Sequence, residues 1–106
     1  MKIAEKLELL SETDNIYIRI VTDHGMITDF VIAQVSEFSE QKCQVVRYDT
    51  AHGYAHKDCL YLSEKVKELL PDRPFDELFE MCVREVKSEW KNYRSQYMRN
   101  RWGTRL

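Results

Sequence analysis

Apolar and polar positions divide the 106-residue chain into three stretches of different period. At the start, Ile3, Leu7 and Leu10, with Ala4 beside the first, recur every three to four residues. That spacing predicts a short amphipathic helix over Lys2 to Leu10. Asp14-Asn15 breaks the pattern, and strand signals follow. Ile16 to Val21 is rich in β-branched and aromatic residues. Asp23-His24-Gly25 is a turn signal. From Met26 to Phe38, Ile27, Val31, Ala33 and Val35 share one parity while Phe30 and Ile32 take the other, as in a strand covered on both faces. After the polar turn Ser39-Glu40-Gln41-Lys42, Cys43 to Asp49 reads as a third strand. Connections this short favour an antiparallel meander. Thr50 to Lys57 is too polar for a core strand, and the apolar Cys59 to Leu62 suits a fourth strand beside the third. Ser63 to Leu70 fits either a helical turn or a short edge strand.

The third stretch opens at Pro71-Asp72-Arg73-Pro74, where Pro74 suits the first position of a helix and Asp72 or Arg73 its cap. Phe75, Leu78, Phe79, Cys82, Val86, Trp90, Tyr93 and Tyr97 then step by three and four, with no Gly or Pro until Gly103. This is the pattern of a long helix with one apolar face. The expected fold is α+β in a single domain over residues 1–106: an N-terminal helix, an antiparallel β-meander of three to five strands, and a long C-terminal amphipathic helix packed on the sheet.

Composition changes this picture little. A chain with 43 % hydrophobic and 32 % charged residues has the mixture of a globular domain, not of a disordered one. No run of about 18 apolar residues encodes a membrane-spanning helix, and the start Met1-Lys2-Ile3-Ala4-Glu5-Lys6 has mixed charges and no apolar signal region. The three cysteines, Cys43, Cys59 and Cys82, are odd in number and form no Cys-x-x-Cys pair. Free thiols in a reducing cytoplasm are expected, with no disulfide framework, thiolate zinc site or cofactor.

Charge adds an asymmetry. From Arg84 to Leu106 there are seven basic residues and two acidic ones, so this stretch carries +5 and the rest −7, for the net −2. Here Trp90, Tyr93, Tyr97 and Trp102 alternate with Lys91, Arg94, Arg99 and Arg101, and Arg105 follows. Such interleaving can hold a nucleic-acid backbone and stack bases. Lys91, Arg94, Arg99, Arg101 and Arg105 are therefore candidates for phosphate contacts. The competing reading is a helix with buried aromatics and solvated cations near its C-terminal end, where the helix dipole favours them.

The chemistry concentrates in Arg47 to Cys59, which holds two of the three histidines, two aspartates, an arginine and two tyrosines. Three readings stand. In the first, His52 and His56 are the acid and base of RNA cleavage by its own 2′-hydroxyl. Arg47 or Lys57 then clamps the phosphate, and Asp49 or Asp58 orients an imidazole. In the second, the histidines and aspartates bind zinc, manganese or non-haem iron. In the third, the segment is a polar turn in which Asp49 caps its own backbone and Gly53 supplies a positive φ.

The string Arg47-Tyr48-Asp49-Thr50-Ala51-His52-Gly53, followed by His56, resembles a motif of small uncharacterised prokaryotic proteins. In these an Arg-aromatic-Asp-x-Ala-His core ends a strand and a second, histidine-bearing strand follows. Trp90-Lys91-Asn92-Tyr93-Arg94 is similar to a Trp-x-x-Tyr-Arg-like segment of the long helix that closes those chains. More distantly, the string is similar to the TumE-type toxins of toxin–antitoxin modules, which carry an Arg-x-Asp-Asn-Ala-like string before a His-rich strand. Here that run is His56-Lys57-Asp58. The likeness implies a small α+β domain, a site at Arg47, Asp49, His52 and His56, and an antitoxin-like protein partner. With the acid–base reading it leads to a toxin-like RNA-acting domain, ribonuclease-like if it is an enzyme. The competing expectation is a non-enzymatic interaction or nucleic-acid-binding module that could form a homodimer, and a metal-dependent hydrolase is the third.

Overall fold

The computed structural model describes residues 1–102. Gly103, expected to stop the helix, and Arg105 lie outside the described residues. Six strands run in chain order: β1 (Lys2–Leu9), β2 (Asp14–Asp23), β3 (Met26–Phe38), β4 (Gln41–Asp49), β5 (His56–Asp58) and β6 (Lys67–Leu69). They form one antiparallel sheet in which every strand pairs with its neighbour in sequence. A 3-10 turn, Ala51–Gly53, joins β4 to β5, and helix α1 (Phe75–Trp102) closes the described chain.

The central hairpins follow from their turns. His24 and Gly25 both take positive φ, at 52° and 78°, and so do Ser39 and Glu40, at 48° and 70°. Two positive-φ residues give the turn the twist that strands need when only two residues connect them. Ser39 and Glu40 do this without glycine, at the steric cost that the left-handed region imposes on side chains.

Two expectations are corrected. Lys2–Leu9 is a strand, not a helix. Ile3 and Leu7 satisfy a two-residue repeat as well as a helical one, and Leu9 extends the former. Eight consecutive pairings with β2, from Lys2↔Thr22 to Leu9↔Asn15, give the segment backbone partners that a helix so short would hold only marginally in water. The sheet therefore has six strands, not three to five. The added short strands also differ in place: β5 occupies His56–Asp58, inside the stretch expected to be too polar, while Cys59–Leu62 is a turn closed by Leu62 N–H to the Cys59 carbonyl at 3.2 Å. Within Ser63 to Leu70, the edge-strand alternative is the one observed, as β6.

Side-chain parity sorts the sheet into two faces. One carries Ile16 and Ile18 of β2, Phe30, Ile32 and Gln34 of β3, Val46 and Tyr48 of β4, and Lys57 of β5. Helix α1 lies on this face. Phe30 meets Phe75 and Phe79 edge-on, each with ring centroids 5.9 Å apart. Tyr61 stacks on Tyr93 at 4.3 Å, and Phe38 on Tyr97 at 5.3 Å. Gln34 Nε2 donates to the Trp90 carbonyl at 2.9 Å. The predicted apolar stripe of the helix is thus core, with Leu78, Cys82, Val86 and Tyr93 buried. Each such large apolar group contributes roughly 1.5–3 kcal/mol. The helix begins one residue later than expected: Phe75 is its first residue, and Pro74 takes the cap position, its carbonyl accepting the Leu78 N–H at 3.1 Å. The other face carries Tyr17, Arg19 and Val21, Val31 and Ala33, Arg47 and Asp49, His56 and Asp58, and Leu69. No described helix covers it. No described helix is long and apolar enough to cross a membrane.

Candidate functional site

Strand pairing assembles a four-residue block on the open face. Arg47 and Asp49 are two apart on β4, and His56 and Asp58 two apart on β5, so each pair points the same way. The register sets Arg47 opposite Asp58 and Asp49 opposite His56. Asp49 is the hub. Its Oδ2 accepts from Arg47 Nε at 3.0 Å and its Oδ1 from the Ala51 N–H at 3.0 Å, and His56 Nε2 lies 2.9 Å from the same Oδ1. Burial works against the Asp49 charge, but the Ala51 and Arg47 hydrogen bonds and the neighbouring His56 and Arg47 outweigh it. The carboxyl is held below its ordinary range.

His56 is 2 % exposed, and its Nδ1 is buried without a hydrogen-bond partner. With Nε2 facing the Asp49 carboxylate, Nδ1 is the ring nitrogen left without a partner. A buried polar atom left unpaired costs about 1–3 kcal/mol. Beside the block a cavity of about 360 Å³ opens on the same face, lined by Arg19, Val31, Arg47, Asp49 and Ala51 among others.

His52 does not join the block. It sits exposed on the 3-10 turn at φ 70°. Its ring centroid is 6.5 Å from that of Tyr54, which is in turn 5.7 Å from that of His56. Tyr54 therefore stands between the two imidazoles. The turn itself is tied down by Thr50, whose Oγ1 accepts the Phe30 N–H at 3.0 Å and donates to Asp29 at 3.2 Å. The polar-turn geometry is real, then, since Asp49 does cap Ala51, but the same carboxylate also holds Arg47 and His56.

Asp49, His56 and Asp58 bring one potential metal-donor atom each within 4.8 Å of one another. A mixture of imidazole and carboxylate suits zinc or manganese. Both carboxylates already face cations, Arg47 on Asp49 and Lys67 Nζ 3.7 Å from Asp58. A divalent ion would enter a cluster whose negative charge is matched.

The cations of the helix divide. Arg94 is committed inward: Nη1 lies 3.0 and 3.2 Å from the two oxygens of buried Asp14, Nη2 donates to the Glu37 carbonyl at 2.9 Å, and the guanidinium lies over Phe38 at 4.5 Å. Arg101 donates to the Leu60 carbonyl at 3.2 Å from an exposed position. Lys91 is exposed with its Nζ 5.6 Å from the Trp90 ring centre, and Arg99 is exposed.

Lys57 escaped sequence reading as a buried residue. Its Nζ reaches the Tyr93 hydroxyl at 3.0 Å and Glu85 at 3.4 Å, with the rings of Tyr48, Tyr61 and Tyr93 at 5.7, 5.5 and 4.9 Å. Tyr48 donates to Glu85 as well. Burial opposes the ammonium charge, but Tyr93 and Glu85 raise the Lys57 pKa above that of an ordinary lysine. The available signal was alternation, because once His56 points to one face Lys57 must point to the other. Cys59 and Cys82 offer no nucleophile: burial raises the thiol of Cys59, and pushes that of Cys82 up to about 12.

The chain matches, over residues 1–102, a family described as a domain of unknown function (DUF7718), and it belongs to that family. No curated protein and no solved structure matches it significantly.

Proposed function

We propose that this member of the DUF7718 family is a toxin-like RNA-acting domain whose working site is the Arg47–Asp49–His56 block on the open face of the sheet. One observation carries the reading: a single ionised carboxylate, Asp49, holds both an arginine and a histidine, and leaves the second imidazole nitrogen unpaired. Asp49 fixes the tautomer of His56, so that Nδ1 is the nitrogen able to take a proton from a 2′-hydroxyl. Arg47 gives only Nε to Asp49, and its remaining guanidinium N–H groups can hold a phosphate at the cavity. His52, on the exposed turn, is the available proton donor to the leaving oxygen. The reaction requires the Tyr54 ring to swing aside, because His56 is covered.

The test is RNA cleavage in vitro, together with growth inhibition on expression. His56→Ala and Arg47→Ala are each expected to lower cleavage at least about a hundredfold, while circular dichroism stays native. Cleavage retained in both variants would remove the proposal. A second reading draws on the burial of His56: the block is a rigid anion-binding surface, and RNA is bound without turnover, with an antitoxin-like protein as the other candidate partner. Under it, RNA binding weakens with salt and with Arg47→Ala but not with His56→Ala, and no cleavage is detected.

A further inference from the structure

The two edges of the sheet are built differently. β6 is three residues long and is soon followed by Pro71, two features that discourage further strand pairing. β1 is eight residues long and has β2 as its sole partner, so its outer backbone edge is free among the described residues. It also carries apolar side chains into solvent: Ile3 is 54 % exposed, Leu7 66 % and Leu9 79 %. All three lie on the open face of the sheet, since Ile3 pairs with Val21, Leu7 with Tyr17 and Leu9 with Asn15. A long, unpaired strand with an apolar row is a template for another strand.

We propose that this strand is filled by a second copy of the chain, β1 pairing antiparallel with β1 across a two-fold axis at Glu5, so that two six-stranded sheets become one. The argument rests on self-complementarity. In an antiparallel pair, residues directly opposite share a face, so a two-fold axis must pass through a residue position. Centred on Glu5, Lys2 of each copy faces Glu8 of the other, and Ile3 faces Leu7, each pair occurring twice. The one like-charge contact, Glu5 with Glu5, is offset by Arg19 of each copy, whose Nε lies 3.6 Å from its own Glu5. Centring on Lys6 sets Lys6 against Lys6 and makes no opposite-charge pair. Centring on Leu7 keeps Lys6 opposite Glu8 but leaves only the segment from Glu5 to Leu9 paired. The Glu5 register alone combines near-full length with charge and apolar matching. Ile3 also lines the cavity beside Arg47 and Asp49, so this interface borders the Arg47–Asp49–His56 block without including its three residues.

The experiment uses the full chain. Analytical ultracentrifugation is expected to give a dimer, and the double variant Ile3→Lys with Leu7→Lys is expected to weaken self-association about tenfold or more. Both positions are exposed, and unchanged circular dichroism checks that the fold persists. Register is read by cross-linking in a Cys43→Ser background: under mild oxidation Glu5→Cys should give a covalent dimer, and Lys6→Cys and Leu7→Cys should not. A native chain that stays monomeric, a dimer indifferent to the lysine pair, or preferential cross-linking at Leu7→Cys would each overturn the proposal. So would a monomer that acquires a partner strand only from a different protein. None of these readings depends on RNA cleavage, so this inference and the proposed function can fail separately.

Discussion

Each face of the sheet buries an aspartate beside an arginine. On the helix face, Asp14 accepts from Arg94, Ser11, Thr13 and Ser36, and the same Arg94 closes onto the Glu37 carbonyl. Neither Asp14 nor Arg94 has a buried polar side-chain atom left over. On the open face, Asp49 is bound as tightly, but its histidine keeps a bare, buried nitrogen, and its arginine borders a cavity. The first arrangement fastens the start of β2, the end of β3 and α1 together. The second leaves a buried nitrogen unpaired at some cost in stability, the feature on which the proposed site rests. Burial of charge alone therefore does not mark a site. Nor does an unpaired atom alone, since Gln34 Oε1 in the Asp14 network is also buried without a partner; what separates the two is an unpaired imidazole nitrogen next to an arginine that borders a cavity.

This contrast can be broken by measurement. The largest expected effect is on the helix face. Arg94→Met leaves Asp14 charged and buried without its cation, and should cost about 3–5 kcal/mol in urea denaturation, with RNA binding unaltered once folding is restored by temperature. A loss under about 1 kcal/mol would mean that the serine and threonine hydroxyls suffice.

Acid comes next. Both Asp14 and Asp49 have pKa values held below the ordinary carboxylate value, each against the effect of burial. Hydrogen bonds from Ser36, Thr13, Ser11 and Arg94 do this for Asp14, and those from Ala51 and Arg47 for Asp49. Folded-state values lower than unfolded ones contribute stability that is complete above about pH 4 and is lost as pH falls toward the folded values. Stability followed by denaturant titration should therefore decline with acid below that point, and Asp14→Asn should flatten the decline. An acid limb identical in native and variant protein would show that Asp14 titrates as it does in the unfolded chain.

The smallest effect is expected at His56. His56→Leu removes the 2.9 Å contact with Asp49 but also removes the unpaired Nδ1, and the two terms nearly offset. Stability should stay within about 1 kcal/mol of native, while activity or RNA-dependent growth inhibition is lost. If His56→Leu destabilises as much as Arg94→Met, the two faces are alike and the histidine is a structural residue.

Much of this architecture was legible along the chain. The helix from Phe75 and the strands around Ile16–Val21, Met26–Phe38 and Cys43–Asp49 announce themselves because their apolar side chains are buried, and burial is what periodicity reports. β1 was illegible for the opposite reason: Ile3, Leu7 and Leu9 are exposed, so their spacing carries no record of an inner face. β5 was hidden because Lys57 is the inward residue, and its burial depends on Tyr48, Tyr61, Tyr93 and Glu85 from three distant segments. At the site, Arg47 and Asp49 share a face by alternation alone. The meeting with His56 depends on the turn between β4 and β5, where one residue more or less would send His56 to the other side. That same turn carries His52 away, which spacing could not foretell. Arg94 was nominated for phosphate by its aromatic neighbours, yet its partner, Asp14, stands at the far end of the sequence.

The plain succession of strands has a consequence for how the molecule comes into being. Every pairing in the sheet joins neighbours along the chain, so hairpins can form one after another as the polypeptide leaves the ribosome, with short loops to close. The cover for Ile16, Ile18, Phe30, Ile32 and Val46, however, is encoded last, in α1. Until that segment emerges, a growing ribbon of β-structure presents an oily surface to the surrounding solvent, at the stage when nascent chains are most prone to aggregate. Synthesis arrested before Phe75 would leave sheets without their lid.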